Sequence, residues 1–306
     1  MINPILATSA RQRMRSWRTP ALLTLYCLFQ LIFVWVYSYE AFGQATFTLV
    51  RLERSVAGYV LLVVAQFFLL VLVAPAMTAG SVSVERERQT LDLLRVTNTG
   101  SWSLLAGKLL ESFGFLFLLV ISSLPMLGLI LLTGAVTLHQ QLLTVLFLIV
   151  VAFEALSVGI FTSALFRRTV TAAVVAYLSV FAIGVGTLLP IFFDVAFIGR
   201  VFTAYYAGIA QNQPPLEFID YTPISFMLNP GLGLFSLIMD QTSFLRNYLG
   251  QFSHTLHVTS GMLRYNRFVW YNMGTMFSCS IALVTLAALR MRIQKADRPR
   301  KRDRKR

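Results

Sequence analysis

The sequence predicts an all-α membrane protein with six transmembrane helices. Hydrophobic residues make up 57% of the chain and charged residues only 13%, whereas a soluble domain has roughly a quarter charged residues. Six apolar runs have the length of about 20 residues that crosses the hydrocarbon core of a bilayer. Lys and Arg cluster beside alternate ends of these runs, which is typical of cytoplasmic connections.

The predicted spans are residues 21–39, 56–76, 104–132, 142–166, 170–197 and 268–289. The third span is longer than a crossing needs and contains Pro125, so we expect it to tilt or kink. Six spans leave too few residues for a separate soluble domain of normal size. We therefore assign residues 20–290 to one transmembrane domain.

The connection between spans five and six, residues 198–267, is the longest. It contains an apolar stretch, residues 223–239, that Asn229-Pro230-Gly231 interrupts. A further span needs about 20 uninterrupted apolar residues. We therefore predict short helices here, an external helical hairpin lying at the outer membrane surface.

The two ends of the chain are basic. Residues 1–19 combine Trp17 with four arginines, which favours an interfacial helix with Trp at headgroup depth; an irregular basic arm is the alternative. Residues 291–306 form a basic tail, which we place in the cytoplasm.

The distribution of basic residues predicts the orientation. Twenty of the 26 Lys and Arg residues lie in the N-terminal arm, the second-to-third connection, the fourth-to-fifth turn and the tail. By the positive-inside rule we expect both termini in the cytoplasm. We also expect the chain in the plasma membrane, which is the inner membrane in a cell that has two membranes. The net charge of +13 would suggest nucleic-acid binding in a soluble protein. Here the charges flank the spans, so we predict the bilayer and no nucleic acid as partner.

The cytoplasmic connection between spans two and three carries the most informative pattern. Residues 85–94 are predicted to form a short amphipathic helix with Leu91 and Leu94 as apolar anchors and with both acidic and basic side chains. Helices that lie on a membrane carry mainly Lys and Arg on their polar face. Mixed charge therefore favours docking into a groove of another protein, and a helix parked on the membrane is the alternative.

Three motifs carry a resemblance to a known family. They are Glu85-x-Glu87-Arg88-x-Thr90-Leu91-x-Leu93-Leu94 with a following Gly107-Lys108, the opening Asn3-Pro4-Ile5-Leu6 with its arginines, and Gly159-Ile160-x-x-Ser163-x-x-x-Arg167. In this order, and at these places in the topology, the motifs resemble those of the transmembrane permease subunits of ABC-type transporters, in the six-span exporter branch.

The resemblance implies a function and partners. Two permease subunits, identical or different, would form the substrate path, and separate nucleotide-binding subunits would hydrolyse ATP. The short helix would be the coupling helix that sits in a cleft of the nucleotide-binding subunit. The residues that the resemblance assigns to this contact are Glu85, Glu87, Arg88, Thr90, Leu91 and Leu94.

The chain is not predicted to be an enzyme. A P-loop requires G-x-x-x-x-G-K-[ST], but Leu109 follows Gly107-Lys108 and Trp102 stands where the first glycine belongs. We therefore expect ATP and Mg²⁺ on the partner ATPase, and no cofactor or metal in this chain. Two other functions remain open: a membrane scaffold or assembly subunit that transports nothing, and an ion-coupled secondary transporter.

Glu154 lies near the middle of the fourth predicted span. A charged carboxylate at that depth costs at least about 2.5 kcal/mol, so it should face the helix bundle, water or a partner. Two interpretations remain open. Glu154 either lines the transport pathway or is a proton-linked site, or else it is a structural acid that is protonated or hydrogen-bonded, to Ser157 or to a Ser or Thr on a neighbouring helix.

Overall fold

The computed structural model describes residues 18–42, 49–89, 101–132, 134, 136–189, 224–242 and 266–296, and contains no strand among them. In chain order the helices are α1 Arg18–Phe42, α2 Leu49–Thr78, α3 Ser83–Glu87, α4 Ser101–Ser122, α5 Leu124–Leu131, α6 Leu138–Leu165, α7 Thr169–Gly184, α8 Ile224–Met227, α9 Pro230–Gln241 and α10 Asn266–Ala296. The predicted all-helical class is confirmed over these residues. The predicted N-terminal interfacial helix lies almost wholly outside them.

Five segments of the described residues are long and apolar enough to cross a membrane: Ser55–Glu87, Trp102–Leu131, Leu138–Leu165, Thr169–Leu188 and Phe268–Arg292. They overlap predicted spans two to six; residues 190–197 of the fifth predicted span lie outside the described residues. Helix α1 covers the first predicted span with 25 residues, but its described apolar stretch is the shorter Leu23–Ile32. The sixth crossing therefore stays a prediction.

The third span breaks where a kink was expected. Helix α4 ends at Ser122 and α5 begins at Leu124, with Pro125 in its first turn. Proline has no N–H to donate to the preceding turn, and its ring clashes with the carbonyl there, so the α-helical ladder stops. The hydroxyl of Ser123 at the break accepts a hydrogen bond from Gln66 Nε2 of α2 at 2.8 Å.

Helix α6 begins four residues earlier than predicted because Thr137 caps it. The Thr137 hydroxyl accepts from the Gln140 N–H, and Gln140 Oε1 accepts from the Thr137 N–H at 2.9 Å. This reciprocal pair is a capping box. Its sequence signature, Thr-x-x-Gln, was not used in the prediction.

The chain forms two compact units, and Met1–Val180 together with Phe277–Arg306 make the first. Helix α6 is its centre: 72% of its most apolar window is buried, against 33–44% for the windows in α2 and α4–α5. The hydroxyl oxygens of Tyr59 on α2 and Thr144 on α6 are 2.7 Å apart in this core. The Phe153 ring packs against Phe113 of α4 and Phe277 of α10, with centroids 5.7 and 5.5 Å apart.

The second unit, Phe181–Met276, is organised by Asn229. Its Oδ1 accepts from the N–H groups of Gly231 and Leu232 and so caps α9, while its Nδ2 donates to the Gly184 carbonyl at 2.8 Å. The amide of Asn272 on α10 donates to the Asn229 carbonyl at 3.0 Å. These bonds explain why Asn-Pro-Gly begins a new helix here.

The described part of the long connection contains two short helices, α8 and α9, as predicted. Helix α9 has 12 residues, about 18 Å at 1.5 Å per residue, which is too short to cross the hydrocarbon core. Its buried side chains include Leu234, Leu237, Ile238 and Met239. The location of this segment outside the membrane stays a prediction.

The last helix also differs from the prediction. Helix α10 continues to Ala296, so residues 291–296 of the predicted tail are helical. The remaining basic residues of the tail lie outside the described part of the chain.

Candidate functional site

The short helix α3 lies at one end of the first unit, directly after α2. The turn between them is closed by hydrogen bonds from Ala79 N–H to the Pro75 carbonyl (2.8 Å) and from Ser81 N–H to the Thr78 carbonyl (3.0 Å). The chain therefore leaves α2 through a defined corner, residues 79–82. This corner sets the direction of the α3 axis relative to α2.

Ser163 of α6 caps the start of α3 from outside. Its hydroxyl oxygen accepts from the N–H groups of Val82 and Ser83, at 2.8 and 3.0 Å. All three residues are fully buried, so without Ser163 these N–H groups would be unsatisfied in an apolar surrounding. A serine of the predicted motif thus acts as the N-terminal cap of a different helix.

Gly159 lies one turn before Ser163 on the same face of α6. A Cβ atom placed on Gly159 would lie 2.0 Å from Thr78 Oγ1 and 3.2 Å from the backbone nitrogen of Ala79. Only glycine lets α6 approach the end of α2 this closely. Gly159 and Ser163 therefore hold the same corner, by close packing and by hydrogen bonding.

Glu85 joins α3 to α4. Its Oε1 lies 2.5 Å from Lys108 Nζ, and the two side chains are 24% and 16% exposed. The Lys108 ammonium also donates to the Ser81 carbonyl at the corner. The Gly-Lys element of the predicted motif thus contacts the first glutamate of the same motif.

The next two residues of α3 contact the turn between α6 and α7. Arg86 donates to the carbonyl groups of Ala164 and Phe166, both at 3.2 Å. These carbonyls lie at the C-terminal end of α6, where a cation is favoured. The exposed Glu87 accepts from the N–H and the hydroxyl of Thr169, at 2.8 and 2.7 Å, at the N-terminus of α7, where an anion is favoured.

Helix α3 is shorter than the predicted helix of residues 85–94. Arg88 is its C-cap, and Gln89 has φ = +58°, a left-handed conformation that ends helices. Glutamine is not a usual residue there, so the sequence carried no stop signal. Thr90, Leu91 and Leu94 lie outside the described residues, and Arg88 is exposed.

Three residues that the sequence reasoning did not assign to the site take part in it. Ser163 and Lys108 stood in the motifs without a role, and their contacts with α3 depend on tertiary packing. Thr169 carried no signal, because nothing in the local sequence indicates that Glu87 reaches it. The contacts place the second-to-third connection and the fourth-to-fifth turn at the same end of the first unit.

Glu154 lies elsewhere on α6. It is nine residues before Ser163, or about 14 Å along the helix axis. Its side chain is 4% exposed, and Oε1 has no hydrogen-bond partner among the described residues. The hydrogen bond considered with Ser157 is not made, since the Ser157 hydroxyl lies 2.7 Å from the Phe153 carbonyl oxygen.

In the part of the chain that the structure describes, no three His, Cys, Asp or Glu side chains lie together as a metal site. Cys27 and Cys279 are free thiols.

In comparisons with known proteins, no family model and no curated protein matches this chain. The polar contacts around α3 join it to α4, to the end of α6 and to the start of α7.

Proposed function

We propose that the chain is the transmembrane permease subunit of an ATP-driven ABC-type transporter, an exporter of the cytoplasmic membrane. It forms the substrate path as a dimer and is coupled to separate nucleotide-binding subunits. The observation that supports this most is the linkage of α3. Five residues of helix follow α2 directly and bond to α4, to the end of α6 and to the start of α7.

The linkage supports a mechanical role. A five-residue helix whose cap, ion pair and terminal contacts reach three other helices moves with them as one body. A partner that binds the exposed Arg88 and Gln89 would displace this body, and the displacement would pass to the ends of four spans. Rigid-body movement of this kind is a common form of switching.

The predicted orientation supports the same proposal. The positive-inside rule puts this end of the unit in the cytoplasm, the compartment that holds ATP. The sequence lacks a P-loop, so hydrolysis and its Mg²⁺ belong to the partner. Arg88, Arg167 and Arg168 are exposed at this end and are available for contact with another protein.

Site-directed cross-linking tests the proposal. In a background with both cysteines replaced by serine, Arg88→Cys is treated in membranes with a bifunctional thiol reagent, and adducts are identified by mass spectrometry. The matched control is His139→Cys, also exposed but at the other end of α6, about 36 Å from Ser163. We expect Arg88→Cys, and not His139→Cys, to capture a P-loop ATPase.

The proposal is wrong if no P-loop protein is captured at Arg88, or if both positions capture it equally. A captured ATPase is then purified with the chain and reconstituted in vesicles. If the complex is a transporter, candidate substrates should stimulate ATP hydrolysis by the captured ATPase. A stable complex with hydrolysis that no substrate affects would instead favour a scaffold.

A further inference from the structure

The turn between α6 and α7, residues 166–168, carries two consecutive arginines, Arg167 and Arg168, called the arginine pair below. Both side chains are exposed. Among the residues that the structure describes, no carboxylate lies within ion-pair distance of either guanidinium group. Two positive charges therefore remain at the surface of this turn.

The arginine pair lies on the same surface as the exposed end of α3. The Glu87 carboxylate at that end accepts from the N–H and the hydroxyl of Thr169, at 2.8 and 2.7 Å. Arg88 follows Glu87 in the chain and Arg168 precedes Thr169, and consecutive Cα atoms are only about 3.8 Å apart. The exposed end of α3 and the α6–α7 turn are therefore neighbours joined by hydrogen bonds.

The exposed end of α3 is too small to be a protein interface by itself. A specific interface takes about 800 Å² from each partner, which equals a disc of about 16 Å radius, and includes about 20–30 residues a side. The residues exposed at the described end of α3 are Glu87, Arg88 and Gln89. A partner centred on Arg88 would therefore also cover the α6–α7 turn.

The charges of this surface indicate the chemistry of the partner. Arg88 and the arginine pair are exposed together with one acid, Glu87, whose carboxylate already accepts from Thr169. Guanidinium groups form two parallel hydrogen bonds with carboxylates, and complementary charges direct the docking of two proteins. The surface therefore fits a partner that presents a cluster of Asp and Glu side chains.

We propose that the α6–α7 turn is a second docking point for the nucleotide-binding subunit, at which the arginine pair binds an acidic surface of that subunit. This contact rests on the proposed function, because the partner is the ATPase assigned there to Arg88 and Gln89. It adds a point of attachment after the fourth span, so the ATPase holds α3 and the start of α7 together.

Photo-cross-linking tests whether the ATPase reaches the turn. In the background without cysteines, Arg168→Cys and Arg88→Cys are each coupled to a benzophenone maleimide and irradiated in membranes. Benzophenone inserts into C–H bonds of protein and of lipid, so mass spectrometry of the adducts identifies the neighbour in either case. We expect a P-loop ATPase at both positions, and none at His139→Cys at the other end of α6.

Charge reversal tests the chemistry of the contact. With Arg167→Glu and Arg168→Glu, the affinity for the ATPase captured at Arg88 should fall about tenfold, measured in nanodiscs of phosphatidylcholine without anionic lipid. Arg167→Lys with Arg168→Lys keeps the charges and should lose less. Arg290→Glu with Arg292→Glu, at two exposed arginines of α10, is the charge-matched control and should bind as the wild type does. Thermal unfolding in detergent checks that each variant folds.

The outcomes separate this contact from the proposed function. Lipid adducts alone at position 168, with the ATPase captured at position 88, would mean that the arginine pair faces anionic headgroups; the second contact is then wrong and the proposed function stands. Undiminished affinity after charge reversal, or an equal loss in the α10 variant, would also overturn the contact. Capture of no ATPase at either position would overturn both.

Discussion

The carboxylate of Glu87 on α3 accepts two hydrogen bonds from Thr169, one from its N–H at 2.8 Å and one from its hydroxyl at 2.7 Å. Thr169 is the first residue of α7, where backbone N–H groups lack partners within their own helix. The neighbouring Arg86 holds the last carbonyls of α6. Adjacent side chains of α3 thus contact both sides of the α6–α7 turn.

The Glu87–Thr169 contact should matter for coupling more than for stability. Thr169→Val removes the hydroxyl donor of an exposed contact, so we expect a loss of less than about 1 kcal/mol. In the reconstituted complex, however, substrate-stimulated ATP hydrolysis should fall several-fold, because α7 no longer follows α3. Unfolding in detergent and ATPase assays measure the two effects.

Matched variants separate the contact from the loss of a threonine. Thr169→Ser keeps the hydroxyl and should behave as the wild type. Thr171→Val changes an exposed threonine two residues along α7 and should leave hydrolysis unchanged. Full activity of Thr169→Val would show that this contact does not transmit movement.

Ser163 should contribute strongly to stability. Ser163→Ala leaves the buried N–H groups of Val82 and Ser83 without their acceptor, and an unsatisfied buried donor costs about 1–3 kcal/mol. Amide hydrogen exchange at residues 82 and 83 should speed up, and the melting temperature in detergent should fall. The control is Ser157→Ala, also fully buried, whose hydroxyl bonds to the carbonyl of Phe153 on its own helix. Equal effects of the two substitutions would contradict the capping role.

Gly159 should tolerate no side chain. Gly159→Ala puts a methyl group 2.0 Å from Thr78 Oγ1, so α2 and α6 must separate, and overpacking of this kind costs about 1–3 kcal/mol. Gly114→Ala is the control, because its Cβ would meet nothing within 4 Å; there we expect a gain of about 0.5–1 kcal/mol from helix propensity. Adding Thr78→Ala should restore part of the loss in Gly159→Ala, and failure to do so would place the clash elsewhere.

Much of the fold could be predicted because apolar run length is a strong local signal. The described residues of predicted spans two to six are almost all helical, and the breaks at Pro125 and at Asn229-Pro230 follow from the missing N–H of proline. Helix ends were predicted less well. The end of α3 depends on the left-handed Gln89, a conformation with no signature in a glutamine.

The site could be predicted only in part, because its contacts join residues far apart in sequence. Glu85 and Lys108 were recognised as parts of one motif, but their ion pair needs α3 and α4 to meet. Ser163 lies 80 residues from Ser83, and no local pattern indicates that one caps the other.

Glu154 provides the last prediction. Its Oε1 has no partner among the described residues and its side chain is 4% exposed. A leucine there removes an unsatisfied oxygen and fits an apolar surrounding, so we expect Glu154→Leu to unfold at the same temperature as the wild type or higher.

If Glu154→Leu is at least as stable as the wild type, the acid is kept for a reason other than stability, and under the proposed function that reason is the transport cycle. We therefore expect ATP hydrolysis by the reconstituted complex to fall several-fold in Glu154→Gln, a substitution close to isosteric. Glu111→Gln, at a partly exposed acid of α4, is the control and should be fully active. A Glu154→Gln complex with full activity, together with a destabilised Glu154→Leu, would instead identify Glu154 as a structural acid with a partner outside the described residues.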